Sequence, residues 1–268
     1  IKTKFQKNTL PNVKIINFCG SVDEPTTHPQ FFEIVKHFAD WSAHINIATN
    51  GSLRNAKWWK TLATILPDSH RVTWGIDGSD KTSEIYRVGS NFKKVQENYK
   101  AFISAGGKAN WQFIVFEHNE HQLEAAKELA KQEGFKDFKT ILSHRKDIHN
   151  IKHKKIQAKE STSIKCKYGN QKRIFVNHMG NVIPCCHLNS KMLEYSVVQQ
   201  SKDLFEDILL ESEYETDINL ENVTIDQAIN GKVWSRIKDS WTSIKKIPKC
   251  VYVCKQNNKD VFVKENLS

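Results

Sequence analysis

No stretch of this chain approaches the roughly 20 consecutive apolar residues that a membrane helix needs. No charged-then-apolar leader opens it either. A membrane partner is therefore not expected, and the chain reads as a cytoplasmic protein. Acids are scarce beside bases: 30 Asp and Glu against 40 Lys and Arg leave a formal charge of +10. Such an excess suits polyanions, because clustered cations release counterions from phosphates. The sharpest cluster sets Arg145, Lys146, Lys152, Lys154, Lys155 and Lys159 against Asp147, yet it holds no aromatic residue. Single-strand binders interleave aromatic stacking platforms with their cations. Residues 144–160 therefore read as a solvated basic linker suited to an acidic partner or peptide substrate, and nucleic acid is not the expected partner.

Cysteine is sparse before residue 166, where Cys19 stands alone, and five of the six follow: Cys166, the doublet Cys185-Cys186, Cys250 and Cys254. Soft thiolates in a reducing compartment hold zinc or an iron–sulfur cluster. The competing reading, that they are small buried hydrophobes, is weakened by two details. Cys185 ends the run Gly180-Asn181-Val182-Ile183-Pro184, which turns the chain after the apolar strand Ile174-Phe175-Val176 and presents a sulfur at its tip. Cys250 follows Pro248-Lys249 and is separated from Cys254 by three residues, so both sulfurs are expected in one loop. Cys166, Cys185, Cys250 and Cys254 are the expected metal ligands, with Cys186 as the spare.

Ahead of the linker, apolar runs and amphipathic segments alternate. Strands are expected at 13–18, 44–48, 71–76, 110–116 and 136–142. Helices are expected at 29–39, opened by Pro29, at 55–66, at 91–105 before Gly106-Gly107, and at 119–133, capped by Asn119 with Gln122 at the capping-box position. This alternation predicts an α/β fold with a parallel sheet and helices outside, whose loops at the carboxyl ends of the strands carry the site. Beyond 161 the alternation stops, and residues 161–268 are expected to form a small metal-stapled domain with an apolar-faced helix over 224–241. The domain expectation is thus 1–143, linker 144–160, and 161–268.

Residues 18–29 read Phe-Cys-Gly-Ser-Val-Asp-Glu-Pro-Thr-Thr-His-Pro, Thr49-Asn50-Gly51 ends the second strand, and Gly75-Ile76-Asp77-Gly78 ends the third, with Arg87-Val88-Gly89 beyond it. In this order the motifs resemble the Gly-Gly-Glu-Pro loop with its His-Pro, the Thr-Asn-Gly strand end, and the Ser-Ile-Asp-Gly strand with its following Arg-Gly of the radical S-adenosylmethionine enzymes that carry a carboxyl-terminal auxiliary-cluster domain of the SPASM or twitch type. The resemblance implies a partial (β/α) barrel followed by an iron–sulfur domain, with an auxiliary 4Fe-4S cluster on Cys166, Cys185, Cys250 and Cys254. S-adenosylmethionine would be cradled by Asp23, Glu24 and Pro25 at its amino group, with Thr49 and Asn50 beside them. Asp77 would lie near the ribose, Arg87 near the carboxylate and Asn119 towards the adenine.

The implied reaction is generation of a 5′-deoxyadenosyl radical that modifies a peptide or protein substrate, with an outside reducing electron donor. Three departures are visible. The family's Cys-x3-Cys-x2-Cys loop, which holds the cofactor's own 4Fe-4S cluster, is absent from these 268 residues. Five barrel strands are legible where the family has six, and the chain opens on Ile1, so it is expected to begin inside a longer protein that holds the second cluster. Asp23 and Gly75 replace a family glycine and serine. Cys19 is expected to be a buried core thiol. The competing class is a non-catalytic iron–sulfur or zinc module whose basic surface meets an acidic partner or nucleic acid.

Overall fold

A computed structural model describes residues 3–20, 24–79, 81–142, 164–198, 203–254 and 262–267. The basic linker and Asp23 lie outside the described residues. The chain divides into two units, one of residues 1–154 with 259–268 and one of residues 155–258.

In the first unit, β1 (Ile15–Phe18), β2 (His44–Thr49), β3 (Arg71–Gly75), β4 (Ala109–Val115) and β5 (Asp137–Leu142) pair in sequence order, all parallel. Helices α1 (Phe31–Ala39), α2 (Ala56–Ile65), α4 (Phe92–Ser104) and α5 (Leu123–Gln132) connect them, with the short α3 (Lys81–Tyr86) before α4. The strand period of two decides which residues meet the helices. In β2, Ile45 and Ile47 are buried while Asn46 and Ala48 are partly open; in β4, Trp111 and Phe113 are buried while Asn110 and Gln112 are not. The buried set packs with Phe31, Val35, Phe38, Trp59, Leu62, Tyr99 and Phe102 from the helices into one core. Asn55 and Asn91 cap α2 and α4 through their side chains.

The sheet has a sixth strand, but not where one was expected. Phe262–Asn266 adds antiparallel to β5, on the edge opposite β1. The expectation that residues 161–268 form one domain is corrected accordingly, because this strand hydrogen-bonds into the first unit's sheet. The sheet is open and mostly parallel, as a partial barrel requires.

The second unit is largely helical. It holds a two-stranded hairpin, β6 (Phe175–Val176) with β7 (Val182–Ile183), then α7 (Cys186–Val198), α8 (Leu204–Glu211), α9 (Tyr214–Ile218), α10 (Ile225–Asn230), α11 (Lys232–Asp239) and α12 (Pro248–Cys254); α6 (Lys167–Asn170) precedes the hairpin. The helix expected over 224–241 is two helices. They break at Gly231, where the Asp217 carboxylate accepts from Lys232 N at 3.1 Å and Val233 N at 2.8 Å and so caps α11 from a distance. A Cβ on Gly231 would lie 2.5 Å from Asp217 Oδ1.

Candidate functional site

At the carboxyl ends of the parallel strands, the loops after β1 and β2 are tied together by Glu24. Its Oε2 accepts from Asn50 N at 2.8 Å and its Oε1 from Thr26 Oγ1 at 3.0 Å. Pro25 opens a 3-10 turn, Pro25–Thr27, as a residue with fixed φ does well. Thr49 Oγ1 accepts from Gly51 N at 2.9 Å, and Asn50 Oδ1 accepts from Ser52 N at 2.9 Å and Ser52 Oγ at 2.7 Å. Gly51 is left-handed at φ +71°, and its missing Cβ makes room for the buried Trp74 ring. Two residues that sequence reasoning missed complete this knot. Arg54 donates from Nε to Thr26 O at 2.8 Å, and Asn98 donates to Gly51 O at 2.9 Å. No sequence pattern marks either, since each reaches a backbone carbonyl far along the chain.

A second polar group follows β3 and β4. Asp77 is wholly buried; its Oδ1 accepts from Ile114 N at 2.7 Å, and its Oδ2 pairs with Arg87 Nε at 2.7 Å. Burial pushes this carboxyl above its ordinary range, against the opposing pull of Arg87 and the Ile114 N–H. Asn119 is fully buried, and both its amide hydrogens are spent, on Asp77 O at 2.7 Å and Ile114 O at 2.9 Å, while its Oδ1 accepts from Phe116 N. It is thus a loop brace, not the helix cap expected. Gln122 is no capping-box partner either: it accepts from Ser79 N and donates to Thr82 Oγ1. The side chains expected around S-adenosylmethionine therefore fall into two linked groups, Glu24 with Asn50 and Asp77 with Arg87 and Asn119. The carboxylate role expected of Arg87 meets a competitor in Asp77, which already holds the guanidinium.

In the second unit, Cys166, Cys185, Cys250 and Cys254 all line one small cavity of about 10 Å³, with Pro184, His187 and Trp241 beside them. Cys186 does not line it. The hairpin and the following helix explain the choice within the doublet: Cys185 is the last residue before α7, whereas Cys186 is already its first. Cys250 and Cys254 sit on α12, not in the expected loop, and at i, i+4 they share a face. Cys166 caps α6, its sulfur accepting from Gly169 N at 3.3 Å.

A hydrogen bond between Cys254 and Cys166 holds the Cys166 thiol below its ordinary range and pushes Cys254 up. Burial pushes Cys185 up to about 11 and Cys250 up to about 12. Metal loading must therefore displace protons. Cys19 is exposed, so the expectation of a buried core thiol is corrected.

Thiolates suit an iron–sulfur cluster or zinc, so the donor set fits. Among the described residues no three His, Cys, Asp or Glu side chains converge tightly enough to grip a single ion. The cavity admits about one water, so a bound cluster has to spread these walls.

No family model matches the sequence, and no curated protein matches it. Solved structures do. anSMEcpe with bound AdoMet is 13% identical, with a TM-score of 0.55 over 87% of this chain and 67% of that one. The same protein with AdoMet and the Cp18Cys peptide gives 13%, a TM-score of 0.54, and 93% and 77% coverage. Streptococcus suis SuiB gives 13%, a TM-score of 0.51, and 76% and 56%. These neighbours are radical S-adenosylmethionine enzymes. This chain has the radical S-adenosylmethionine fold. Within that fold, the two polar groups stand at the sheet end where ligands of open α/β sheets bind.

Proposed function

We propose that the chain is the greater part of a radical S-adenosylmethionine enzyme that modifies a peptide or protein, with an auxiliary 4Fe-4S cluster on Cys166, Cys185, Cys250 and Cys254. The observation that carries this reading is the gathering of four thiols from three separate segments around one cavity, in a chain whose fold is shared with AdoMet-bound neighbours. A cluster suits these sulfurs better than one zinc ion. Each thiolate of a cluster holds a different iron, so the sulfurs need not meet at one point as tetrahedral zinc demands.

If bound and reduced by one electron from an outside donor, S-adenosylmethionine would break its C5′–S bond, releasing methionine and supplying a 5′-deoxyadenosyl radical for hydrogen abstraction from the substrate. The chain's own residues position and shield it. The loops knotted by Glu24, Thr49 and Asn50 would present backbone to the cofactor's amino group, while Asp77 and Asn119 brace the neighbouring loop. Arg87, held by Asp77 through Nε, would offer a cofactor carboxylate its Nη donors. The described residues hold no helix long and apolar enough to cross a membrane, and a cytoplasmic location with a soluble reductant belongs to this reading.

Calorimetric titration of the 268-residue chain with S-adenosylmethionine tests the catalytic part. Saturable binding, weakened in Glu24→Ala, is expected. Binding that does not saturate would remove the cofactor reading and leave the cysteine site standing.

A further inference from the structure

Trp241 follows α11 and lines the cysteine cavity without being one of its four thiols. Its backbone is held on both sides: Trp241 N donates to Lys238 O at 3.0 Å, and Trp241 O accepts from Ile164 N at 2.8 Å, two residues before Cys166. The benzo edge of the ring lies over Gly169, where a Cβ would stand 3.2 Å from Trp241 Cη2 and 3.5 Å from Cys166 Sγ. At the other edge, the indole Nε1 is buried and completes no hydrogen bond. It nevertheless stands close enough to the Cys250 sulfur to pull that thiol down against the upward push of burial. Charge on the sulfur reconciles the two: a neutral thiol is a weak acceptor, whereas a metal-bound thiolate is a strong one. A buried donor left unpaired is costly, so an indole N–H kept beside Cys250 calls for the charged form of that sulfur.

The other three sulfurs draw on the main chain. Gly169 N donates to Cys166 Sγ at 3.3 Å, the N–H groups of His187 and Leu188 act on Cys185, and that of Lys167 acts on Cys254. Cys250 is served by a side chain. An N–H held on a cluster sulfur favours the reduced state, because the added electron puts more negative charge on the sulfurs and the donor's positive end stabilises it. The main-chain donors are fixed by the fold, whereas the indole depends on the identity of a single residue.

On the cluster reading proposed above, we infer that the Trp241 indole donates its N–H to the Cys250 sulfur of the loaded site and so raises the reduction potential of the cluster held there. Trp241 acts through Cys250 and is a positioning residue, not a ligand.

The anaerobically reconstituted 268-residue chain is compared with Trp241→Phe, which keeps an aromatic ring and loses the N–H. Trp234→Phe is the control, since the Trp234 indole is already spent on Val182 O at 2.8 Å. Redox titration followed by EPR reads the midpoint potential. Trp241→Phe is expected to keep its iron and sulfide and to lower the midpoint, a tenfold loss in the reduction equilibrium corresponding to about 59 mV. Trp234→Phe should leave the midpoint where it is. With isotopically labelled indole nitrogens, pulsed EPR of the reduced cluster in the unmodified chain should show a nitrogen coupling, a readout that needs no variant to fold. An unmoved midpoint in Trp241→Phe, an equal fall in Trp234→Phe, or no indole coupling in the unmodified chain would overturn the role of Trp241 and leave the cluster in place. A chain that takes up no cluster would overturn it together with the reading on which it rests.

Discussion

The Arg87 guanidinium lies 2.7 Å from the Asp77 carboxylate, Nε to Oδ2, and Gly75 leaves it the room to do so: a Cβ at residue 75 would stand 2.5 Å from Arg87 Nη2. The two departures read separately in the sequence, a glycine for the family's serine and an arginine expected at a cofactor carboxylate, thus belong to one contact. Asp77 is wholly inside, while the Arg87 side chain keeps 20% of its surface in water.

Breaking this contact leaves the buried Asp77 carboxyl without its cationic partner. Arg87→Met should lower unfolding free energy by roughly 3 kcal/mol at neutral pH, read from the midpoint of a denaturant titration. Gly75→Ala should lower it by about 1–3 kcal/mol by pushing the guanidinium aside. If the two share one mechanism, Gly75→Ala in the Arg87→Met background should cost less than alone.

The same pair sets a pH dependence. The Asp77 carboxyl has its folded pKa raised above the ordinary 3.8. Its contribution to stability is therefore fully present below 3.8 and is lost as pH rises through the folded value. The stability of the unmodified protein relative to Asp77→Asn should fall as pH rises from about 4. A difference that rises with pH would mean that the ion pair outweighs burial.

Gly51 is another backbone position that tolerates no side chain. Its φ of +71° is left-handed, and a Cβ would stand 2.5 Å from the Trp74 ring. Gly51→Ala should cost about 1–3 kcal/mol, read from the midpoint of a denaturant titration. A neutral result would show that the loop after β2 is free to move away.

Much of the first unit was legible because a strand alternates and an amphipathic helix does not. Ile45 and Ile47, or Trp111 and Phe113, announce their face at once. The carboxyl-terminal strand Phe262–Asn266 was not legible, because an edge strand added from far along the chain is selected by the partner it finds and not by local pattern. The break at Gly231 was hidden for a similar reason: the apolar stripe runs through both helices, and the capping carboxylate comes from Asp217. Asn119 and Gln122 have the residue types and spacing of a capping box, yet both side chains are drawn away to loop atoms near Asp77. Cysteine spacing gave the grouping of 166, 185, 250 and 254 but not its geometry, since nothing local showed that Cys250 and Cys254 share one turn of helix.

The account rests on those four thiols acting as one ligand set, and anaerobic reconstitution of the chain with iron and sulfide, followed by iron, sulfide and absorption measurements, tests this most directly. One 4Fe-4S cluster per chain is expected, lost in Cys250→Ala and Cys185→Ala and kept in Cys19→Ala and Cys186→Ala. Tight zinc binding with no sulfide-dependent absorption, or a cluster that survives loss of Cys250, would contradict it.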